Sequence, residues 1–234
     1  MSIRRQPLLT GEIYHVYNRG VDKRDIFWDK NDIYRFIESI KEFNRIEKIN
    51  SLASFRKIKS NNQIGLKALS REPLVEIIGY CLNPNHFHFI LRQVSDGGIS
   101  KFMQKLQSGY TSYFNLRNLR SGSLFQGTFK SQIILNKNYF NKLIGYVNKN
   151  HLIHNIPSNK NDLIFSGDFE YENGKFNIIS KKEGKNILES FGGAIKFKKH
   201  CNEIVDIIKE ERGKKSLLED ENLSIIIESI PDRA

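Results

Sequence analysis

The run Cys81-Leu82-Asn83-Pro84-Asn85-His86-Phe87-His88-Phe89-Ile90-Leu91-Arg92 decides how the rest of the chain is read. Apolar residues flank an Asn-Pro-Asn turn signal, so one strand, 75–82, turns into a second, 86–92. Side chains on a strand alternate faces, which sends Phe87, Phe89 and Leu91 one way and His86 and His88 the other. One face is core and the other holds two imidazoles. Two neutral imidazoles at this spacing can share a divalent cation if a third ligand arrives from elsewhere in the fold. A bare His-x-His nevertheless reads first as two hydrogen-bonded histidines on a half-exposed strand.

Outward from this hairpin the periodicity switches between two and 3.6. Residues 12–19 alternate, with Ile13, His15 and Tyr17 on one side, and Gly20 ends the strand. From Asp29 or Asn31, either of which can cap a helix, Ile33, Phe36, Ile37, Ile40 and Phe43 recur at helical spacing. Residues 44–73 lose the pattern and gain cations, as expected of a basic insertion. After the Asp96-Gly97-Gly98 turn, Ser100 is a candidate cap for a helix with Phe102, Met103, Leu106, Tyr110, Tyr113 and Phe114 on its apolar face. Residues 123–135 read as a further strand, and Asn136 caps a helix over 137–150 with Phe140, Leu143, Ile144 and Val147 inward. The order strand, helix, strand, strand, helix, strand, helix predicts an α+β fold, a ferredoxin- or RNA-recognition-like antiparallel sheet with helices packed on it. Residues 1–155 form the expected main domain. Residues 156–234 form a C-terminal extension, turn-rich over 165–174, with short helices over 181–191 and 195–208 and a peripheral tail from 217.

Composition narrows the function. A 39% apolar fraction with 16 Phe and 9 Tyr in 234 residues suits a folded core, and no window is long and apolar enough to span a bilayer. The first six residues hold two arginines and no apolar h-region, so no secretory signal is expected. Two cysteines, Cys81 and Cys201, do not make a disulfide framework, which fits a reducing cytoplasm. The net charge is +11, yet residues 202–234 carry nine acidic and five basic residues, leaving 32 basic against 17 acidic in the body. A basic body suits a polyanion, nucleic acid before membrane, although lysine-rich surfaces also serve solubility alone.

On the helix over 137–150, Tyr146 and Asn150 are four residues apart and share a face, with Lys142 one turn earlier. Beside the histidine strand, a phenol and a carboxamide would meet two imidazoles, giving a nucleophile and a three-ligand cation site able to act on a phosphodiester. A phenol has a pKa of about 10, so a cation or nearby lysine, Lys142 or Lys149, would have to favour its phenolate. Spacing alone reads Tyr146 first as an edge-of-core tyrosine and leaves Tyr110 and Tyr113 open as rival nucleophiles.

The stretches His15-Val16-Tyr17-Asn18-Arg19-Gly20, Asn83-Pro84-Asn85-His86-Phe87-His88, Gly122-Ser123-Leu124-Phe125-Gln126-Gly127-Thr128-Phe129-Lys130-Ser131 and Tyr146-Val147-Asn148-Lys149-Asn150 resemble, in order, the motifs of the REP-associated tyrosine transposases, which are HUH-type single-tyrosine enzymes acting on single-stranded DNA. Phe191-Gly192-Gly193 with Phe197 resembles their C-terminal region more weakly. The resemblance implies Tyr146 as nucleophile, His86, His88 and Asn150 as metal ligands, and Mg²⁺ or Mn²⁺ as cofactor. It further implies DNA cleavage beside a hairpin through a 5′-phosphotyrosine, then rejoining by transesterification, the chemistry of DNA transposition and recombination. Cations near that site or flanking its helices, Arg19, Lys23, Arg24, Lys101, Lys105, Arg117, Arg120 and Lys130, are the expected DNA contacts. A monomer is expected over a dimer with exchanged tyrosine helices. The chain departs from the family at His151, where a proline is usual, and in the length of the 44–73 insertion. The alternative, from another class, is a catalytically silent DNA or RNA hairpin-binding protein on the same fold.

Overall fold

The computed structural model describes residues 7–47, 52, 56, 72–154, 156–214, 227 and 230. Most of the 44–73 insertion and nearly all of the tail from 217 lie outside the described residues. In chain order the elements are β1 (Ile13–Arg19), α1 (Lys30–Phe43), β2 (Val75–Asn83), β3 (His86–Gln93), α2 (Gly98–Arg117), β4 (Lys130–Ile133), α3 (Lys137–Asn148), β5 (Phe165–Ser166), α4 (Asp168–Asn173), α5 (Lys181–Phe191) and α6 (Ala194–Lys214). The sheet runs β4-β1-β3-β2-β5 with every pairing antiparallel. The α+β class, the central hairpin and the strand–helix order are as the periodicity predicts.

The alternation on β3 sorts the layers. Phe87 and Phe89 meet Phe36 of α1 and Phe102 of α2, and all four are fully buried. Each such ring removed from water contributes roughly 1.5–3 kcal/mol. The other face carries His15 and Tyr17 from β1 and His86 and His88 from β3, and there α3 lies across the sheet, its Tyr146 ring edge-on to His88. The extension covers α3 from outside: α6 packs along it, and a Cβ on Gly145 would meet Ile204 at 3.2 Å.

Two glycines let α3 approach the sheet. A Cβ on Gly79 of β2 would lie 3.3 Å from the Asn148 carboxamide, and one on Gly167, just after β5, would lie 2.3 Å from its Oδ1. Asn148 Nδ2 donates to Ile144 O at 3.0 Å, and Tyr80 N donates to Asn148 Oδ1 at 3.4 Å, pinning the end of α3 to β2.

Several boundaries differ from the sequence reading, among them the helix expected over 195–208, which runs Ala194–Lys214. The strand expected over 123–135 is only Lys130–Ile133, because 123–127 crosses the end of β1, bridged through Gly20 and Phe125, with Gly122 and Gly127 at positive φ. Helix α3 stops at Asn148, and Asn150–Leu152 forms a 3₁₀ turn. Helix α2 starts at Gly98 behind Gly97 rather than at Ser100. The turn-rich stretch over 165–174 supplies a two-residue edge strand and α4.

Candidate active site

Three of the quoted motifs meet at one end of the sheet through backbone contacts. Gln126 N donates to Arg19 O at 2.8 Å, Val21 N to Leu124 O at 3.0 Å and Gly20 N to Asn85 O at 2.9 Å. Asn18 Nδ2 closes the corner on Gly127 O at 3.2 Å. Between them lies a cavity of about 30 Å³, lined by Tyr17, Asn18, Arg19, His86, His88, Gln126 and Lys130.

The tautomer of His86 is fixed by its neighbour. His86 Nδ1 lies 2.6 Å from Asn85 Oδ1, an acceptor only, so Nδ1 carries the proton and Nε2 keeps its lone pair. The Asn83 amide donates to that Nε2 at 2.8 Å and to Asn150 Oδ1 at 2.7 Å. His86 Nε2 and Asn150 Oδ1 are 2.9 Å apart, and in that tautomer both are acceptors. His88 Nδ1 lies 2.9 Å from Nε2 of His15 on the neighbouring strand, with both rings buried and stacked. The His86 and His88 rings stand perpendicular, centroids 5.2 Å apart.

Tyr146 lies against His88 and Asn150 against His86, the latter reached from the 3₁₀ turn rather than from the helix, while neither Tyr146 nor Asn150 lines the cavity. Tyr146 is fully buried, edge-on to His88 at 5.6 Å and to His15 at 6.4 Å. Tyr110 and Tyr113 sit on the opposite side of the sheet: Tyr110 donates to Ile26 O at 2.6 Å and Tyr113 to Asp32 Oδ1 at 3.3 Å. Burial, with the Asp32 charge nearby, pushes both phenols above their usual pKa, which argues against either as a nucleophile. The two lysines weighed as helpers are occupied. Lys142 reaches Ile230 O at 2.5 Å and Lys149 pairs with Asp168 at 2.7 Å. His151, the departure from proline, lies 3.8 Å from Cys81 Sγ, and burial lowers its pKa. Burial also pushes the Cys81 thiol up to about 12, so it is inert.

The expected DNA-contacting cations separate into groups. Arg19 and Lys130 line the cavity, and Arg19 is oriented by Gln126. Lys23 and Arg24 follow β1 in a turn where Asp22 and Lys23 take positive φ, and Arg24 pairs with Asp22 at 3.2 Å. Arg120 holds Asn115 and Ser123 O and stacks on Phe114. Lys101 and Lys105 donate to the backbone at Asp96 and Arg45, and Arg117 is tied to Asp29 and Asp32; none of these three lines the cavity.

Sequence reasoning missed His15 and Asn83 as members of the cluster. Alternation puts His15 on the histidine face, but the strand register that brings it to His88 is a long-range property.

Residues 50–150, somewhat under half of the chain, match the model of the family described as Transposase IS200 like, so that stretch is similar to that family. The matched stretch contains His86, His88, Tyr146 and Asn150 and bears out the transposase resemblance read from the motifs. A REP-associated tyrosine transposase solved bound to a REP hairpin aligns over 77% of this chain and 91% of its own, at 16% identity and a TM-score of 0.49. No curated protein matches the chain. Among the described residues no helix is long and apolar enough to cross a membrane.

Proposed function

We propose that the protein is a metal-dependent single-stranded DNA strand transferase of the HUH type, acting beside DNA hairpins in the cytoplasm, with residues 1–155 as its catalytic unit and 156–234 as an extension bracing the tyrosine helix. The observation that carries this reading is the acceptor pair His86 Nε2 and Asn150 Oδ1, 2.9 Å apart beneath that helix. Adjacent ligands of an octahedral cation bound at about 2.1 Å are about 3.0 Å apart, so the pair fits one edge of a Mg²⁺ or Mn²⁺ shell. Buried Asn150 Nδ2 has no hydrogen-bond partner among the described residues, as in a carboxamide whose oxygen is its working atom. His86, His88 and Asn150 would hold the ion, which would neutralise phosphate charge and stabilise a leaving oxygen.

In this reading the Tyr146 oxygen attacks phosphorus, the bond to the 3′ oxygen breaks, and the strand is left with a free 3′-hydroxyl and a 5′-phosphate on the tyrosine. Arg19 and Lys130 hold the scissile phosphate. Lys23, Arg24 and Arg120 flank it, and Lys101, Lys105 and Arg117 add to the basic field. Because Tyr146 is buried, the end of α3 must shift to admit DNA, and the joint is Lys149, whose φ and ψ of −111° and 20° separate the helix from the 3₁₀ turn.

His15 is the positioning residue for His88. When His88 Nδ1 donates to His15 Nε2, His88 Nε2 keeps its lone pair for a cation. His15→Ala is expected to weaken Mn²⁺ binding about 10–100-fold, followed by calorimetry, with His15→Gln restoring part of it through an acceptor oxygen. An unchanged affinity would leave His15 a packing residue only.

The silent-binder alternative draws on Asn83, whose amide already satisfies both His86 and Asn150. The test that separates the two is incubation of the chain with labelled hairpin-bearing single-stranded DNA and Mn²⁺ on a denaturing gel. A covalent adduct that EDTA prevents supports the transferase, and tight binding with no adduct in any divalent metal supports the binder. Affinity should also fall with salt, with a log–log slope of about −0.7 per phosphate neutralised. Arg19→Ala and Lys130→Ala are each expected to make that slope shallower by about 0.7.

A further inference from the structure

We propose that the open groove between α2 and the 123–131 segment is a second DNA site, a channel for the backbone of the single strand that enters or leaves the histidine cavity; this rests on the strand-transferase reading. The groove has a volume of about 1180 Å³ and adjoins the cavity at Gln126 and Lys130, which line both. That volume exceeds the roughly 300–1,000 Å³ of small-molecule sites and suits a chain-like ligand.

The lining chemistry selects the occupant. Hydroxyl and amide side chains dominate, among them Gln104, Ser108 and Thr111 on α2, together with Lys130, and none of the lining residues is acidic. Ser, Thr and Gln side chains with a cation are the groups that hydrogen-bond phosphate and sugar oxygens. A surface for a protein partner would present apolar anchors, whereas Phe125 and Phe129 at the groove floor are only 5% and 9% exposed. The same burial denies the bases a stacking platform, so the groove grips the backbone and reads little sequence. In its wall the Gln107 amide nitrogen is buried with no hydrogen-bond partner among the described residues, a donor left over for an acceptor-rich ligand. The rival occupant is a strand from a second copy, because β4 ends the sheet and offers its outer edge here. That edge is four residues long and carries Lys130, features that discourage strand addition.

Gln104 and Ser108 are exposed on α2, and replacing both with glutamate puts two negative charges in the groove without touching the cavity. The probes are a hairpin with no overhang and the same hairpin extended by about eight nucleotides on its 5′ or its 3′ side, measured by fluorescence anisotropy, with sedimentation run in parallel. The expected result is a loss of at least tenfold in affinity for one extended probe, no change for the blunt hairpin, and tighter binding of that extended probe when both residues are lysine. Equal affinities in all forms would overturn the groove proposal, as would a changed oligomeric state with unchanged binding, which would assign the edge to a second copy. Anisotropy reads binding whether or not an adduct forms. Wild type that binds the extended probe without an adduct therefore removes the transferase reading while still reading out the groove, and wild type that binds no single strand removes both.

Discussion

Tyr146→Phe is expected to abolish the covalent protein–DNA adduct, lowering strand cleavage by a factor on the order of 10⁴ or more, while hairpin affinity stays within about twofold. The substitution removes a single oxygen from a fully buried ring. The edge-on contacts with His88 and His15 belong to the ring and survive, so the fold and the histidine cluster should be retained. The loss falls on the one atom that can bond to phosphorus, and a retained hydroxyl on Tyr110 or Tyr113 cannot replace it from across the sheet. Denaturing gels read the adduct, anisotropy reads binding and thermal melts read the fold. A mutant that still forms an adduct would move the nucleophile elsewhere, and tandem mass spectrometry of the DNA-linked peptide would say where. A mutant that loses binding as well would give Tyr146 a structural role.

The legible part of this fold was local. Period-two alternation placed the histidines on one face of β3 and the phenylalanines on the other because strand geometry admits no other arrangement. The cap of α1 was narrowed to Asp29 or Asn31, and the structure selects Asp29, whose carboxylate accepts from Asn31 N and Asp32 N. The apolar residues of the 123–135 segment suit a continuous strand, but positive-φ glycines at 122 and 127 and a single bridge at Phe125 make its first half a crossing loop. A two-residue strand such as β5 leaves no periodicity to find. The candidate site divides in the same way: spacing offers His86, His88, Tyr146 and Asn150 as candidates and only the family resemblance singles them out, while His15 and Asn83 join through strand register and a turn that doubles back. Charge counting could not say which cations are committed inside the protein, and Arg117 is the clearest case.

Asp32→Ala is expected to destabilise the fold by about 1–3 kcal/mol, the cost of leaving hydrogen-bonding groups without their partner. Asp32 is fully buried and serves several donors at once: Trp28 N at 2.9 Å, Arg117 Nη1 at 2.5 Å and the Tyr113 hydroxyl at 3.3 Å. Its removal takes this acceptor from Trp28 N and the Tyr113 hydroxyl near the start of α1, while Arg117 keeps Asp29, and urea unfolding followed by circular dichroism measures the cost. Asp29 shares the same guanidinium, whose hydrogen bond holds its carboxyl down at about 2. Because that folded value lies below the ordinary carboxylate value near 4, the contribution of Asp29 is fully present above pH of about 4 and is lost as pH falls from there through about 2. Arg117→Gln should shrink that acid-dependent component to what the Asn31 and Asp32 backbone donors supply, and lower stability at neutral pH. If Arg117 also met DNA phosphates as the charge pattern first suggested, the variant would in addition lower the salt slope of binding by about 0.7. An arginine held by Asp29 and Asp32 gives up that pair to reach a phosphate, so the expected slope is unchanged, and stability and binding separate at this one residue.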